Sequence, residues 1–113
     1  MKAKEKGVKY ELKIINELKA LGFEAESTRN ASRKLDSEKV DIISDIPFHI
    51  QCKRCERIHN VETLLYEIPT DKTPVIFTKK NHKPDLVIMK KEDFYRILLL
   101  LDFDLWTREN LTN

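Results

Sequence analysis

Apolar side chains recur at helical spacing from Val8 through Leu12, Ile15 and Leu18 to Leu21, and Gly22 follows as a stop, which predicts an amphipathic helix over residues 8–21. Glu11 falls inside the stripe that should face the rest of the fold. The pattern then shortens. Residues 22–27 alternate and predict a first strand with Phe23 and Ala25 turned inward, and 28–38 is polar and reads as a mobile loop. Two runs rich in Val, Ile and Phe flank Asp45-Ile46-Pro47, which predicts a β-hairpin over residues 39–54. A short helix is expected from Val61 to Ile68, capped by Asn60 and ended before Pro69. Residues 73–78 and 85–89 are continuously apolar, as strands buried on both faces are, and 92–101 closes the chain as a helix whose four leucines, Leu98 to Leu101, wrap more than one face. The order is α-β-β-β-α-β-β-α, an α/β fold with a mixed sheet flanked by helices. It occupies one domain, 1–113, with a core of about 6–103 and a tail, 104–113, that contains Trp106.

The hairpin carries the candidate chemistry. If Ser44 faces Phe48 across the turn, Ile42 faces Ile50, Asp41 faces Gln51 and Val40 faces Cys52. One face then carries Val40, Ile42, Phe48, Ile50 and Cys52, and the other Asp41, Ile43, His49, Gln51 and Lys53. Directly opposed side chains start roughly 5 Å apart, so a carboxylate, an amide oxygen and an ammonium converge. Mg²⁺ takes hard oxygen ligands, commonly one or two carboxylates with waters and phosphate oxygens. Asp41, the Gln51 side-chain oxygen and the backbone carbonyl of Cys52 are its expected ligands, with Mn²⁺ as an alternative ion, and Lys53 is expected to orient water or accept a proton. The implied reaction is metal-assisted hydrolysis of a phosphodiester. Glu11, costly on an apolar stripe, would be relieved by the same metal; a salt bridge to a core-edge lysine, or a helix end still in water, is the alternative.

Composition narrows this little. Of 113 residues, 41% are apolar and 35% charged, which fits a globular chain, and the net charge of +2 does not by itself mark a nucleic-acid binder. The distribution says more, because Arg29, Arg33, Lys34 and Lys39 precede the hairpin, Lys53, Arg54 and Arg57 close it, and Lys79, Lys80 and Lys83 follow. Basic side chains thus bracket the candidate site, as tracking of phosphates requires, although 19 acidic residues make a mixed solvated surface an equal reading of any single cluster. The first residues are charged rather than apolar, and the longest apolar run, 97–101, is far below a membrane span. An intracellular, cytoplasmic protein with reduced thiols and no membrane partner is expected.

A rival site is visible in His49, Cys52, Cys55 and His59, whose spacing suggests half a zinc knuckle or a redox pair. Strand parity sends His49 and Cys52 to opposite faces, which leaves Cys52 as a small core residue and His49 as a phosphate contact or an exposed strand histidine.

Lys6-Gly7, Tyr10-Glu11-Leu12, Gly22-Phe23, Arg29, Ser32, Asp41 and Gln51-x-Lys53, in that order over roughly residues 6–90, resemble the PD-(D/E)XK nuclease superfamily. Within it, the similarity is to the small Holliday-junction resolvases of archaea and viruses. The resemblance implies a restriction-endonuclease-like fold, Glu11 and Asp41 as metal ligands, Gln51 where the family has Glu or Asp, and Lys53 as the catalytic lysine. Arg29 and Ser32 match positions near the scissile strand. The expected DNA-contacting set is Lys6, Arg29, Ser32, Arg33, Lys34, Arg54, Lys79 and Lys80. A resolvase cuts two strands symmetrically, which implies a homodimer; a viral one would work in the host cytoplasm. Gln51 keeps an oxygen ligand but removes a negative charge, so metal affinity should fall; restriction-type nucleases acting on modified DNA share it. A general or branch-specific DNA nuclease, and a non-catalytic DNA-binding protein on the same fold, are the alternative readings.

Overall fold

The computed structural model describes residues 2–101 and 104. Helix α1 (Ala3–Ala20) buries Tyr10, Glu11, Ile14, Ile15 and Leu18. This stripe is rotated from the expected one, and Leu12 and Leu21 lie outside it, 49% and 72% exposed. Tyr10/Glu11 and Ile14/Ile15 put two large side chains per turn on the same side, which outweighs the single-file alternative through Leu12. Gly22, at φ +99°, ends the helix. Its N–H donates to the Lys19 carbonyl and that of Phe23 to the Leu18 carbonyl (3.0 Å each), a Schellman cap. Phe23 therefore belongs to the cap, 42% exposed, and not to the inward face of the first strand.

That strand, β1, spans Ala25–Ser27. The stretch expected to be a mobile loop instead forms two short helices, α2 (Thr28–Ala31) and α3 (Arg33–Ser37). Each is capped by a serine: Ser27 Oγ accepts from the Arg29 N–H at 3.3 Å and Ser32 Oγ from the Leu35 N–H at 3.2 Å. Thr28 is fully buried and donates its hydroxyl to the Val40 carbonyl at 2.6 Å, tying this segment to the sheet.

Strands β2 (Ile42–Ser44) and β3 (Phe48–Arg54) form the expected hairpin, followed by α4 (Val61–Glu67), β4 (Thr73–Lys79), β5 (Leu86–Ile88) and α5 (Lys91–Leu100). Asn60 precedes α4 in the left-handed region without a side-chain cap; its carbonyl, not its amide, receives the Leu64 N–H. The five strands lie in the order β1-β2-β3-β4-β5, antiparallel except for β3 and β4, which are parallel and connected through α4. The protein is thus an α/β chain with one mixed sheet flanked by helices. Its element order gains two helices over the expected one, α-β-α-α-β-β-α-β-β-α.

Two apolar clusters sandwich the sheet. Tyr10, Ile14, Ile15 and Leu18 of α1 pack on Ala25, Ile42, Ile50 and Val75. On the opposite face Leu65 and Ile68 pack on Val40 and Ile76, with Leu35 of α3 alongside. Strand β5 departs from expectation: it is an edge strand of the sheet, with Leu86 and Val87 more than half exposed. In α5, Leu99 and Leu100 are each 85% exposed, while Asp93 is buried against Arg96. The expected tail, 104–113 with Trp106, lies outside the described residues apart from Asp104. Among the described residues no helix is long and apolar enough to cross a membrane.

Candidate functional site

Ile42 stands opposite Ile50, as the parity argument requires. One residue upstream the alternation breaks. The Asp41 N–H donates to the Ile50 carbonyl at 2.8 Å, so Asp41 and Ile42 both answer to Ile50, the signature of a β-bulge. Lys39, at φ +68°, turns the chain into the bulge, and Val40 lands on the α4 side of the sheet with Leu65 and Ile76, not beside Ile42 and Cys52 as expected.

The bulge re-aims Asp41. Rather than standing across from Gln51, its Oδ2 accepts the Cys52 N–H at 2.8 Å. A strand N–H points along the plane of the sheet, so this carboxylate occupies the ladder position where β2 has already ended. The Cys52 carbonyl points toward the same edge, because the N–H and C=O of one strand residue face one neighbour.

Glu11 reaches the same neighbourhood from α1, 9% exposed. Burial raises its pKa above the usual carboxylate range, and repulsion from Asp41 adds to this; the Arg29 guanidinium, 3.1 Å away, works against it. Asp41 is also raised by burial, against the stabilising Cys52 N–H and the positive charges of Lys53 and Arg29. Asp36, which the sequence reading passed over, raises both. Its position in a polar stretch gave no sign of this proximity; the contact depends on α3 folding back, with Asp36 Oδ1 3.5 Å from the Thr28 hydroxyl.

Gln51 and Lys53 project to the other face of β3, as parity requires. Gln51 is 4% exposed, and its Oε1 is buried with no hydrogen-bond partner among the described residues. Lys53 is half-buried and registered with Thr78 of β4. The structure therefore brings Glu11, Asp41, the Cys52 backbone and Lys53 into one electrostatic neighbourhood. Gln51 makes no bond to Asp41.

The expected DNA-contacting residues divide. Lys6, Arg54 and Lys79 line one cavity of about 330 Å³ together with Lys9, Tyr10 and Lys13. Arg29 is engaged with Glu11 and Ser27, and the Ser32 hydroxyl caps α3, so neither is presented as a free contact. Arg33 and Lys34 are exposed on α3, and Lys80 lines a separate cavity.

The knuckle is not assembled. Both cysteines are free thiols, Cys52 lies on the α1 face, and burial pushes its thiol pKa up, which suits a packing group. His49 is buried rather than exposed, 5% accessible, and its Nε2 lies 2.8 Å from Asp71 Oδ1. Among the described residues no group of three or more His, Cys, Asp and Glu side chains gathers to hold a metal. The candidate donors are two carboxylates and neutral oxygens. They fit Mg²⁺ chemically: two buried carboxylates that repel each other and a buried amide oxygen without a partner are each relieved by a hard cation.

No protein-family model, curated protein or solved structure matches this chain.

Proposed function

We propose that this chain is a metal-dependent DNA endonuclease of the PD-(D/E)XK type, with four-way junctions as its preferred substrate. The observation that supports it most is the placement of the Asp41 carboxylate in the plane of the sheet, held by the Cys52 N–H, with Glu11 close on one side and Lys53 on the other. Residues that repel one another this way are normally separated by folding; here a bulge and a helix bring them together.

In this reading Glu11, Asp41, the Gln51 Oε1 and the Cys52 carbonyl would hold Mg²⁺, or Mn²⁺. The ion would supply Lewis-acid stabilisation of the phosphodiester under attack. Asp41 is oriented by the Cys52 N–H, so its free oxygen has a fixed direction. Lys53 places a cation beside Asp41, positioned to hold a water or carry a proton. Arg29 neutralises Glu11 in the metal-free chain, and its release on ion binding would free a guanidinium for phosphate. Symmetric cutting of a junction calls for a two-fold dimer with two sites.

The test is cleavage of a labelled four-way junction, a matched duplex and a single strand by the purified chain with Mg²⁺, with Mn²⁺ and with chelator. Paired symmetric nicks on the junction alone support the resolvase assignment. Metal-dependent cutting of all three substrates keeps the nuclease and removes the junction preference. Binding without cutting replaces both with a non-catalytic DNA-binding role.

A further inference from the structure

The row of side chains that carries Lys53 continues across the sheet. Lys53 is registered with Thr78 of β4, and Thr78 with Leu86 of β5, so the three share one face at successive strand spacings of about 5 Å. A cavity of about 410 Å³ opens along that row. Ile58, Leu86 and Ile88 give it aliphatic walls, Lys80 and Lys83 stand in its lining, and Thr78 contributes a hydroxyl. Thr78 is 4% exposed, and its Oγ1 is buried without a hydrogen-bond partner among the described residues.

Its wall is braced. Lys79 Nζ donates to the carbonyl of Lys80 at 2.9 Å and to that of Lys83, closing the turn between them, in which His82 adopts φ +59°. Arg54 Nη2 donates to Asn81 Oδ1 at 2.7 Å, and the Asn81 N–H to Glu56 Oε2 at 2.8 Å, which ties the turn to the end of β3. A pocket of this size, mostly apolar, with few fixed polar groups, has the character of a site for a small flat ligand.

We propose that this cavity receives an unstacked nucleobase of the DNA strand being cut, the base next to the scissile phosphate. The inference rests on the nuclease reading above. The aliphatic walls suit the faces of a base, the Thr78 hydroxyl offers its edge one donor and one acceptor, and Lys80 and Lys83 match the flanking phosphates. The distance fits as well, since the row runs from Lys53 to the cavity in one to two strand spacings. A base can enter only where it is unpaired or easily unpaired, so the pocket selects branch points and single-stranded ends over continuous duplex.

The test uses the full chain with a four-way junction carrying 2-aminopurine beside the mapped cut, in chelator so that the strand stays intact. The expected result is a several-fold rise in 2-aminopurine fluorescence on binding. Thr78→Leu, which extends a side chain into the cavity, should remove the rise and raise KM for cleavage by about tenfold, more than it lowers kcat. Thr78→Val keeps the shape without the hydroxyl; it should keep the rise and change the preference among bases at that position. Cutting by the wild-type chain without a fluorescence rise, or a Thr78→Leu variant that melts cooperatively and keeps both rise and KM, overturns the base pocket and leaves the nuclease standing. Neither binding nor cutting of DNA by the wild-type chain overturns both.

Discussion

The two faces of β3 are buried alike but differ in chemistry. Toward α1 the strand presents Phe48, Ile50 and Cys52, packed with Val75 and Phe77 of β4. Toward α4 it presents His49, Gln51 and Lys53, in register with Pro74, Ile76 and Thr78. Ile50 and Gln51 are neighbours in the chain, 0% and 4% exposed. For Ile50 exclusion of water is the source of stability; for Gln51 and Thr78, whose oxygens lack partners among the described residues, it is a cost of about 1–3 kcal/mol each. His49 shows how that cost is ordinarily removed, by its bond to Asp71. The contrast is between what β3 itself presents to each face. Tyr10 Oη on the α1 side is also buried without a partner among the described residues and Glu11 enters from α1, but the strand's own polar side chains His49, Gln51 and Lys53 all turn toward α4.

The strongest way to break this comparison is to remove chemistry without removing structure. Asp41→Asn and Lys53→Ala should each lower cleavage by about 10²–10⁴-fold, the range for a positioned acid–base or charge-stabilising group. Circular dichroism melts and junction binding should show a folded, binding-competent chain in both. Loss of folding would move these residues to the structural side of the comparison. The complementary change is Ile50→Ala, which should cost about 2–5 kcal/mol in urea unfolding through the cavity it leaves. It does so on the face where β3 presents Phe48, Ile50 and Cys52.

Local pattern carried some of this architecture and not the rest. Glu11 on an apolar stripe and the pairing of Ile42 with Ile50 were legible because helical period and strand parity are local properties. The bulge at Asp41 was not. It depends on the left-handed Lys39, the Thr28 hydroxyl on Val40 and the Thr28 N–H on the Asp41 carbonyl, contacts made across the chain by a segment that looked like a loop. The caps Ser27 and Ser32 were present in the sequence as signals for α2 and α3, but such short helices have too few residues to show a period. The partner of His49 is 22 residues away, and the alignment of Thr78 with Lys53 requires the parallel register of β3 and β4, which no local pattern encodes. Junction preference and dimerisation were carried by resemblance, and Gln51 is where that resemblance departs from the usual acidic residue.

A metal sharpens the comparison at intermediate size. Glu11 and Asp41 are both raised in the fold, so between the ordinary carboxylate range near pH 4 and their raised values the folded chain binds more protons than the unfolded one. Metal-free stability should therefore fall as pH rises through that window. Asp71, lowered by His49, contributes in the opposite sense and below it. Mg²⁺ should reverse the decline by binding the ionised pair, adding about 2.7 kcal/mol at a hundred times its dissociation constant. Thermal melts from pH 4 to 8 in chelator and in Mg²⁺ check this; curves that do not differ between the two conditions would remove the metal from the site. Gln51→Glu should widen the gap, being less stable in chelator and tighter for Mg²⁺ in a titration. Inactivity of that variant with an intact fold would remove Gln51 from the ligand set.

The smallest effect is also the most direct measure of the difference between the faces. Thr78→Val removes a buried hydroxyl without a partner among the described residues and keeps the shape, so the variant should be more stable by about 1 kcal/mol, while Val75→Thr on the α1 face should cost a similar amount by creating one. Opposite signs from mirror-image substitutions three residues apart would show that Thr78 gives up stability that Val75 does not. A loss of stability in Thr78→Val would mean that its hydroxyl is satisfied within the fold, and the cavity beside it would lose the hydroxyl proposed to meet a base edge, keeping only Lys80 and Lys83 as polar lining. The two urea titrations thus decide whether Thr78 belongs with Gln51, as a group kept for a ligand, or with His49, as one already paired.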